Sequence, residues 1–185
     1  HTLESLYIGC VSMSRACFPD GVISAAAVAQ ARKTARLELL PVEQRFRGMV
    51  WERVAGASGT IRAAASILAA MGGEQQQITA EGLEKLLAVM VRQGHIKNLA
   101  IPGLTDERAP VFPGGVAILA EVMQALGIRQ MTVAPGALRD GILYDLLGRT
   151  TEEDSRAVTV RAMEVRYHVD REQADRVVRM ALLLV

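Results

Sequence analysis

The sequence predicts an α/β domain followed by a short all-helical segment, and three observations carry that expectation. Two strand–glycine–helix joints are present. Met49-Val-Trp-Glu-Arg-Val54 runs through Ala55-Gly-Ala-Ser-Gly-Thr60 into an alanine-rich helix over Ile61–Met71, and Arg129-Gln-Met-Thr-Val133 runs through Ala134–Gly141 into a helix beginning near Ile142. Amphipathic helical stretches lie between the two joints. After Val133 no strand pattern recurs, so a helix-only region is expected to begin near Leu147–Thr151. Half of the residues are hydrophobic and only 4% are aromatic, so the core is expected to be built of Ala, Val, Leu, Ile and Met.

Taken in order, Leu3–Ser14 alternates loosely around Gly9 and is expected to form a strand, bulged at the glycine, with Cys10 in it and Cys17 at or beyond its end. Phe18-Pro-Asp-Gly21 is a turn signal. Ser24 is placed to cap a long helix with Val28, Ala31, Ala35 and Leu39 on one face, which Pro41 should kink or end. Gly72-Gly73 terminates the helix of the first joint. Thr79 caps the next helix, where Leu83, Leu86, Leu87, Met90 and Val91 recur at helical spacing. Ile96–Leu104 reads as a loop or short extended piece, and Thr105 with Asp106 and Glu107 as the start of a helical turn. Leu119, Val122, Met123 and Leu126 mark a helix stopped by Gly127, before the strand at Ile128–Val133. In the last part, Thr151-Glu-Glu-Asp154 opens one helix and Asp170-Arg-Glu-Gln173 opens another in capping-box fashion, with Ala174, Val177, Val178, Ala181 and Leu182 on one face.

The chemistry of the joints follows from their backbone. The first N–H groups of a helix are unpaired and carry partial positive charge, so an anion is their natural guest, and small residues let it approach. Gly56, Ala57, Ser58, Gly59 and Thr60 are therefore candidate phosphate contacts, with Ser58 and Thr60 the hydroxyls in a ligand-ready setting. The stretch matches neither the Walker A pattern nor the Gly-x-Gly-x-x-Gly fingerprint. A tight turn whose glycines only permit close helix–sheet packing accounts for it equally well. Arg139, one turn into the second joint, is a candidate phosphate contact or a surface ion-pair partner.

Other classes find less support. Lys and Arg number 21 against 20 Asp and Glu, a formal charge of +1, which gives no basic face for nucleic acid. The cluster Arg32, Lys33 and Arg36 reads as a solvated helix surface. Cys10 and Cys17 make no disulfide framework and read as buried or half-buried free thiols in a reducing cytoplasm. No apolar run approaches the roughly 18–20 residues that span a bilayer, so no stable membrane insertion is expected. His1, His95 and His168 lack metal-ligand spacing and read as surface or packing residues. Asp106, Glu107, Glu152, Glu153 and Asp154 sit at helix starts, where capping explains them; no Asp-x-Asp pair or Gly-x-Ser-x-Gly elbow is present. From the residues alone no catalytic group and no metal ligand is assigned. The chain opens on His1 and closes on an apolar helical stretch without a cap, which reads as a fragment of a longer protein, with a tag remnant at His1.

Several motifs in order and spacing then resemble one family: Ile8-Gly-Cys-Val-Ser-Met13, Phe18-Pro-Asp-Gly21, Gly56-Ala-Ser-Gly-Thr-Ile-Arg-Ala-Ala64, Ile78-Thr-Ala-Glu-Gly-Leu-Glu-Lys-Leu86, Leu99-Ala-Ile-Pro-Gly-Leu-Thr-Asp-Glu-Arg108 and Gly136-Ala-Leu-Arg-Asp-Gly-Ile-Leu-Tyr144. Together they resemble the exopolyphosphatase / guanosine pentaphosphate phosphohydrolase family (Ppx/GppA phosphatases) over essentially the whole chain. The resemblance implies the actin-like ATPase (ribonuclease H-like) fold, with a mixed sheet flanked by helices. Residues 1–148 would be most of its second lobe, incomplete at the N-terminus, and 149–185 the start of a helical C-terminal domain. It implies a cytoplasmic hydrolase of the stringent response that removes the terminal phosphate of inorganic polyphosphate or of guanosine pentaphosphate (pppGpp). It also implies magnesium and a water-activating acidic residue, whose carboxylates would lie upstream, leaving the chain inactive alone, and it leaves room for a homodimer. The Gly56–Thr60 loop would face the cleft; Gly136, Arg139 and Gly141 match a family motif of unassigned role. Two other readings stand beside this one: a (p)ppGpp-binding regulatory module of the same fold, and an actin-like sugar kinase.

Overall fold

The computed structural model describes residues 3–49, 51–136, 138–150 and 155–183, so His1 and the expected helix start at Thr151–Asp154 lie outside the described residues. The chain divides into two compact units, His1–Pro135 and Gly136–Val185. In the first unit the order is α1 (Cys10–Cys17), α2 (Ala25–Arg47), β1 (Ala55–Gly56), α3 (Gly59–Ala70), β2 (Gln77–Thr79), α4 (Ala80–Gln93), α5 (Phe112–Ala125) and β3 (Gln130–Val133), with short 3-10 turns at Ile96–Asn98 and Ala109–Val111. The sheet is mixed, in the order β1-β3-β2. β1 runs parallel to β3, with Ala55 opposite Thr132 and Gly56 opposite Val133. β2 runs antiparallel to β3, with Ile78 opposite Met131.

The expected strand over Leu3–Ser14 is not formed. Leu3–Gly9 is irregular and Cys10–Cys17 is helical, so both cysteines lie in α1. Met13 and Cys17 stand four apart and Ser14 and Phe18 likewise, which is helical rather than alternating spacing. The buried face of α1, Met13 and Ser14, packs on the opening turn of α5, where Gly114 leaves room for it. The first joint's strand is also shorter and later than expected. Trp51 stacks on Phe46, centroids 6.2 Å apart, and its indole N–H donates to the Leu126 carbonyl at 3.5 Å, while the Val54 carbonyl, just ahead of β1, accepts from Thr132 N–H at 2.9 Å.

Caps and periodicity explain the helices. Ser24 accepts from Ala27 N–H and Thr79 from Gly82 N–H, both at 3.1 Å, and Gly94 closes α4 in the left-handed conformation at φ 75°. Pro41 neither ends α2 nor stops its continuation to Arg47. The carbonyl it leaves unpaired belongs to Leu37, an exposed residue on the solvent side, where water can serve it. Ala31 and Ala35 of α2, Ala64 and Ile67 of α3, Leu83, Leu86 and Met90 of α4, and Val116, Ala117 and Met123 of α5 are buried in one core, with Ile78 and Met131 from the sheet.

Arg32 and Arg36 correct the expectation of a solvated basic face. Arg32 donates from Nε to Glu121 at 3.0 Å and from Nη1 to Glu84 at 2.7 Å, tying α2 to α5 and α4. Arg36 pairs with Glu43 at 2.7 Å and lies 3.6 Å from Glu121. Burial alone would lower the Arg32 guanidinium, but hydrogen bonds and charge from Glu121 and Glu84 more than reverse this and hold it above its ordinary value. Glu121 is 7% exposed, so removing it strands two cations beside the core. We expect Glu121→Ala to lower the unfolding free energy by about 2 kcal/mol, below the usual buried-pair cost because water reaches both guanidinium groups in part. Glu84→Ala removes a half-exposed partner and should cost less than about 1 kcal/mol. Urea unfolding of the two variants checks the order; equal losses would show that burial of Glu121 is not what matters.

The second unit contains α6 (Leu138–Thr150), α7 (Ser155–Arg166) and α8 (Arg171–Leu183). α6 begins four residues earlier than its expected start near Ile142, so Gly141 lies inside it. Asp170 Oδ1 accepts from Gln173 N–H at 3.1 Å, the cap expected for α8. His168 takes a left-handed conformation, φ 51°, at the end of α7, a terminating role. Val177, Val178 and Leu182 of α8 remain exposed.

Candidate phosphate-binding site

The joint between β1 and α3 is built from three different demands on its residues. Gly56 is a packing glycine: a Cβ there would stand 2.6 Å from both Ile61 Cδ1 and Met131 Sδ, between helix and sheet. Its carbonyl accepts from Ala134 N–H at 2.8 Å. Ser58 is the N-cap, its hydroxyl oxygen accepting from Ile61 N–H at 3.1 Å and its carbonyl from Arg62 N–H at 3.0 Å. Those bonds engage the third and fourth N–H groups of α3. The N–H groups of Gly59 and Thr60 have no partner among the described residues and, with the Ser58 O–H as a further donor, form the anion-attracting end of the helix.

Gly59 meets a different neighbour. The place a Cβ would occupy is taken by the Arg108 guanidinium, whose Nη1, Nη2 and Cζ are its three nearest atoms. Arg108 is held by the turn at Thr105, whose carbonyl accepts from Arg108 N–H at 2.9 Å and from Ala109 N–H at 3.0 Å. No carboxylate among the described residues pairs with it. A planar guanidinium thus lies over the first residue of α3 with its donors uncommitted, beside a helix terminus of the same sign.

Thr60 lies where two more helix starts arrive. A Cβ on Gly115, in the first turn of α5, would stand 2.6 Å from Thr60 Cγ2, 2.8 Å from Thr60 Oγ1 and 3.2 Å from Cys10 Cβ, at the first residue of α1. The N-terminal turns of α1, α3 and α5 therefore meet around Thr60, and two glycines are what lets them. Positive potential accumulates there without a cluster of lysines.

Of the sequence-predicted residues, Gly56, Ala57, Ser58, Gly59 and Thr60 share this joint, whereas Arg139 is an exposed residue in the first turn of α6, in the second unit. Residue-by-residue reading does not find Arg108 and Gly115. The available signal is the run Thr105–Gly115, polar then glycine-rich, directly before the apolar stretch Val116–Ala120. Both cysteines are free and half-buried. Burial raises the Cys17 thiol above its ordinary value, a hydrogen bond with Thr34 offsetting part of this, so Cys17 stays protonated at neutral pH. His95 is a packing residue. Its Nδ1 accepts from Lys97 N–H and its Nε2 lies against the Asp20 carbonyl, both at 3.0 Å, while the ring covers Gly21. Among the described residues no three of His, Cys, Asp and Glu converge as metal ligands.

Comparison with known proteins fits this geometry. A family profile described as the Ppx/GppA phosphatase family matches residues 1–150. A guanosine-5'-triphosphate,3'-diphosphate pyrophosphatase of Aeromonas hydrophila is 39% identical over 175 residues, covering 95% of this chain and 35% of that protein. A solved Ppx/GppA family member of Aquifex aeolicus superposes with a TM-score of 0.68 at 17% identity, over 82% of this chain and 50% of the other. An exopolyphosphatase of Cytophaga hutchinsonii gives 0.54 at 20% identity, over 66% and 42%. At these identities the solved structures speak for the fold, a mixed sheet with flanking helices of the actin-like type followed by an all-helical segment. The chain spans between about a third and a half of the length of these relatives.

Proposed function

The chain belongs to the Ppx/GppA phosphatase family, and from that premise we propose that it forms one wall of the phosphate cleft of a phosphoanhydride hydrolase. That enzyme removes the terminal phosphate of pppGpp or of inorganic polyphosphate. The observation that carries the reading is the Arg108 guanidinium seated over Gly59 at the start of α3. Phosphoryl transfer asks a protein for positioning and charge stabilisation more than for covalent chemistry. Here Gly59 and Thr60 N–H groups and the Ser58 hydroxyl bind phosphate oxygens, and the Arg108 fork fixes the orientation of the same chain of phosphates. Cleavage also needs an acidic group to activate water and magnesium to neutralise charge. The described residues provide no carboxylate set for the ion, and both groups belong to the part of the enzyme that pairs with this chain.

Residues 149–185 are read as the opening of a helical domain, and cytoplasm as the compartment where these substrates occur. No helix of the described residues is long and apolar enough to cross a membrane. The test is phosphate release from polyphosphate and from pppGpp with magnesium, by the full-length protein, by its Arg108→Ala variant and by the 185-residue chain. We expect turnover by the full-length protein, a loss of about a hundredfold in kcat/KM with Arg108→Ala, and none by the chain alone. Turnover by the isolated chain would overturn the division of labour. An Arg108→Ala enzyme as fast as the parent would remove Arg108 from the site.

A further inference from the structure

We infer that Gly115, in the first turn of α5, is a positioning residue for the phosphate site. Lacking a side chain, it lets α5 close on Thr60 and so fixes how far the Arg108 guanidinium stands from the N–H groups of Gly59 and Thr60. This rests on the phosphate reading above and adds a residue that acts on the site only through Thr60 and Arg108.

The contact between α3 and α5 is tight at this point. Gly115 is buried, and the atoms nearest the place of its absent Cβ are Thr60 Cγ2 at 2.6 Å, Thr60 Oγ1 at 2.8 Å and Cys10 Cβ at 3.2 Å. Both branches of one stiff, β-branched side chain therefore face α5. Turning Thr60 about χ1 leaves at least one of them there, so rotation gives no escape. Carbon neighbours settle at about 3.5 Å or more, so a methyl on Gly115 would push the start of α3 away by about 1 Å. The Thr60 side chain is thus a spacer between the helices, while its N–H remains the group that faces an anion.

The side of this contact that stays put is α5. Gly114 N–H is bonded to Ser14 Oγ at 3.2 Å, Glu121 accepts from Arg32 at 3.0 Å, and Phe112, Val116 and Ala117 are buried. Arg108 belongs to the same arm. Its carbonyl accepts from Val111 N–H at 3.1 Å, and Arg108, Val111 and Phe112 all take right-handed helical backbone angles leading into α5. Arg108 therefore moves with α5, whereas Gly59 and Thr60 move with α3. Gly115 against Thr60 sets the spacing of the two. Misplacing one half of a binding site by about 1 Å costs up to about a hundredfold in rate.

Phosphate release from pppGpp with magnesium, and calorimetry with tripolyphosphate, test this on the full-length protein below its melting transition. Gly115→Ala should lower kcat/KM and tripolyphosphate affinity about tenfold each. Combining it with Thr60→Ala moves a methyl from one helix to the other and should recover most of both losses. Arg108→Ala should cost the Gly115→Ala protein only about tenfold in kcat/KM, against about a hundredfold in the parent. A Gly115→Ala protein that melts earlier yet binds and turns over like its parent would make Gly115 a packing residue only, overturning the proposal. So would a failure of Thr60→Ala to restore function, or an undiminished cost of Arg108→Ala. Should Gly115→Ala not fold, the double variant decides: it must fold and bind tripolyphosphate within about threefold of the parent. Failure of the parent itself to bind tripolyphosphate overturns the phosphate reading.

Discussion

In the full-length protein, Gly59→Val is expected to lower kcat/KM for phosphate release about a hundredfold, the size of effect seen when one positioned donor is lost, while leaving the fold intact. The loss of activity and the intact fold have separate causes. Gly59 is the first residue of α3 and its φ is not in the left-handed region, so the backbone accepts a side chain. Valine is, if anything, better than glycine in a helix, by a few tenths of a kcal/mol. The group a side chain would collide with is the end of the Arg108 side chain, exposed and free of any carboxylate partner among the described residues, so it can swing away at little cost. What it cannot do is swing away and still lie over the helix start. A bulky residue therefore removes the guanidinium and obstructs approach to the N–H groups in one step.

A double-mutant cycle makes this specific. If Gly59→Val acts by evicting Arg108, then Gly59→Val combined with Arg108→Ala should be little worse than either alone. Multiplying effects would mean that the two residues serve different ends. Unchanged turnover in a folded Gly59→Val protein would return the joint to a packing turn.

How much of this is legible in the sequence depends on whether the deciding contact is local. Ser24 and Thr79 cap α2 and α4 through bonds to residues three positions on, and those helices follow from local pattern. β2 leaves no local pattern because it is three residues long and its last residue, Thr79, is also the cap of α4. α1 departs from expectation for a different reason: Gly9 supplies no capping side chain, and what makes the segment helical is its seat against Gly114 in α5. The glycines divide similarly. Gly56 packs against Ile61 and Met131, the packing explanation open at the sequence level, whereas Gly59 faces Arg108. Nothing local separates them, since the partner that does so arrives from a turn far along the chain.

Gly114 gives the second large expected effect, on stability. A Cβ at Gly114 would stand 2.8 Å from Ser14 N and 3.0 Å from the Cys10 carbonyl oxygen, with Ser14 Oγ closer still. Unlike the Arg108 tip, the first two are backbone atoms of α1 and cannot rotate aside. Gly114 N–H also donates to Ser14 Oγ at 3.2 Å, a buried bond lost if the helices part. Gly114→Ala should therefore cost about 3 kcal/mol, the upper range of overpacking, and lower Tm by about 6–12 °C for a chain of this size. Gly48→Ala is the control: it sits at φ −79° with nothing within 4 Å, so it should be neutral or stabilise slightly. Calorimetric melting of both variants decides, and a Gly114→Ala protein melting with its parent would mean that α1 yields freely. The distinction bears on function, because α1 carries Cys10 to the side of Thr60. If α1 is pinned, the three helix starts are preorganised before any phosphate arrives. If it yields, the anion itself must assemble them, and binding pays for that ordering.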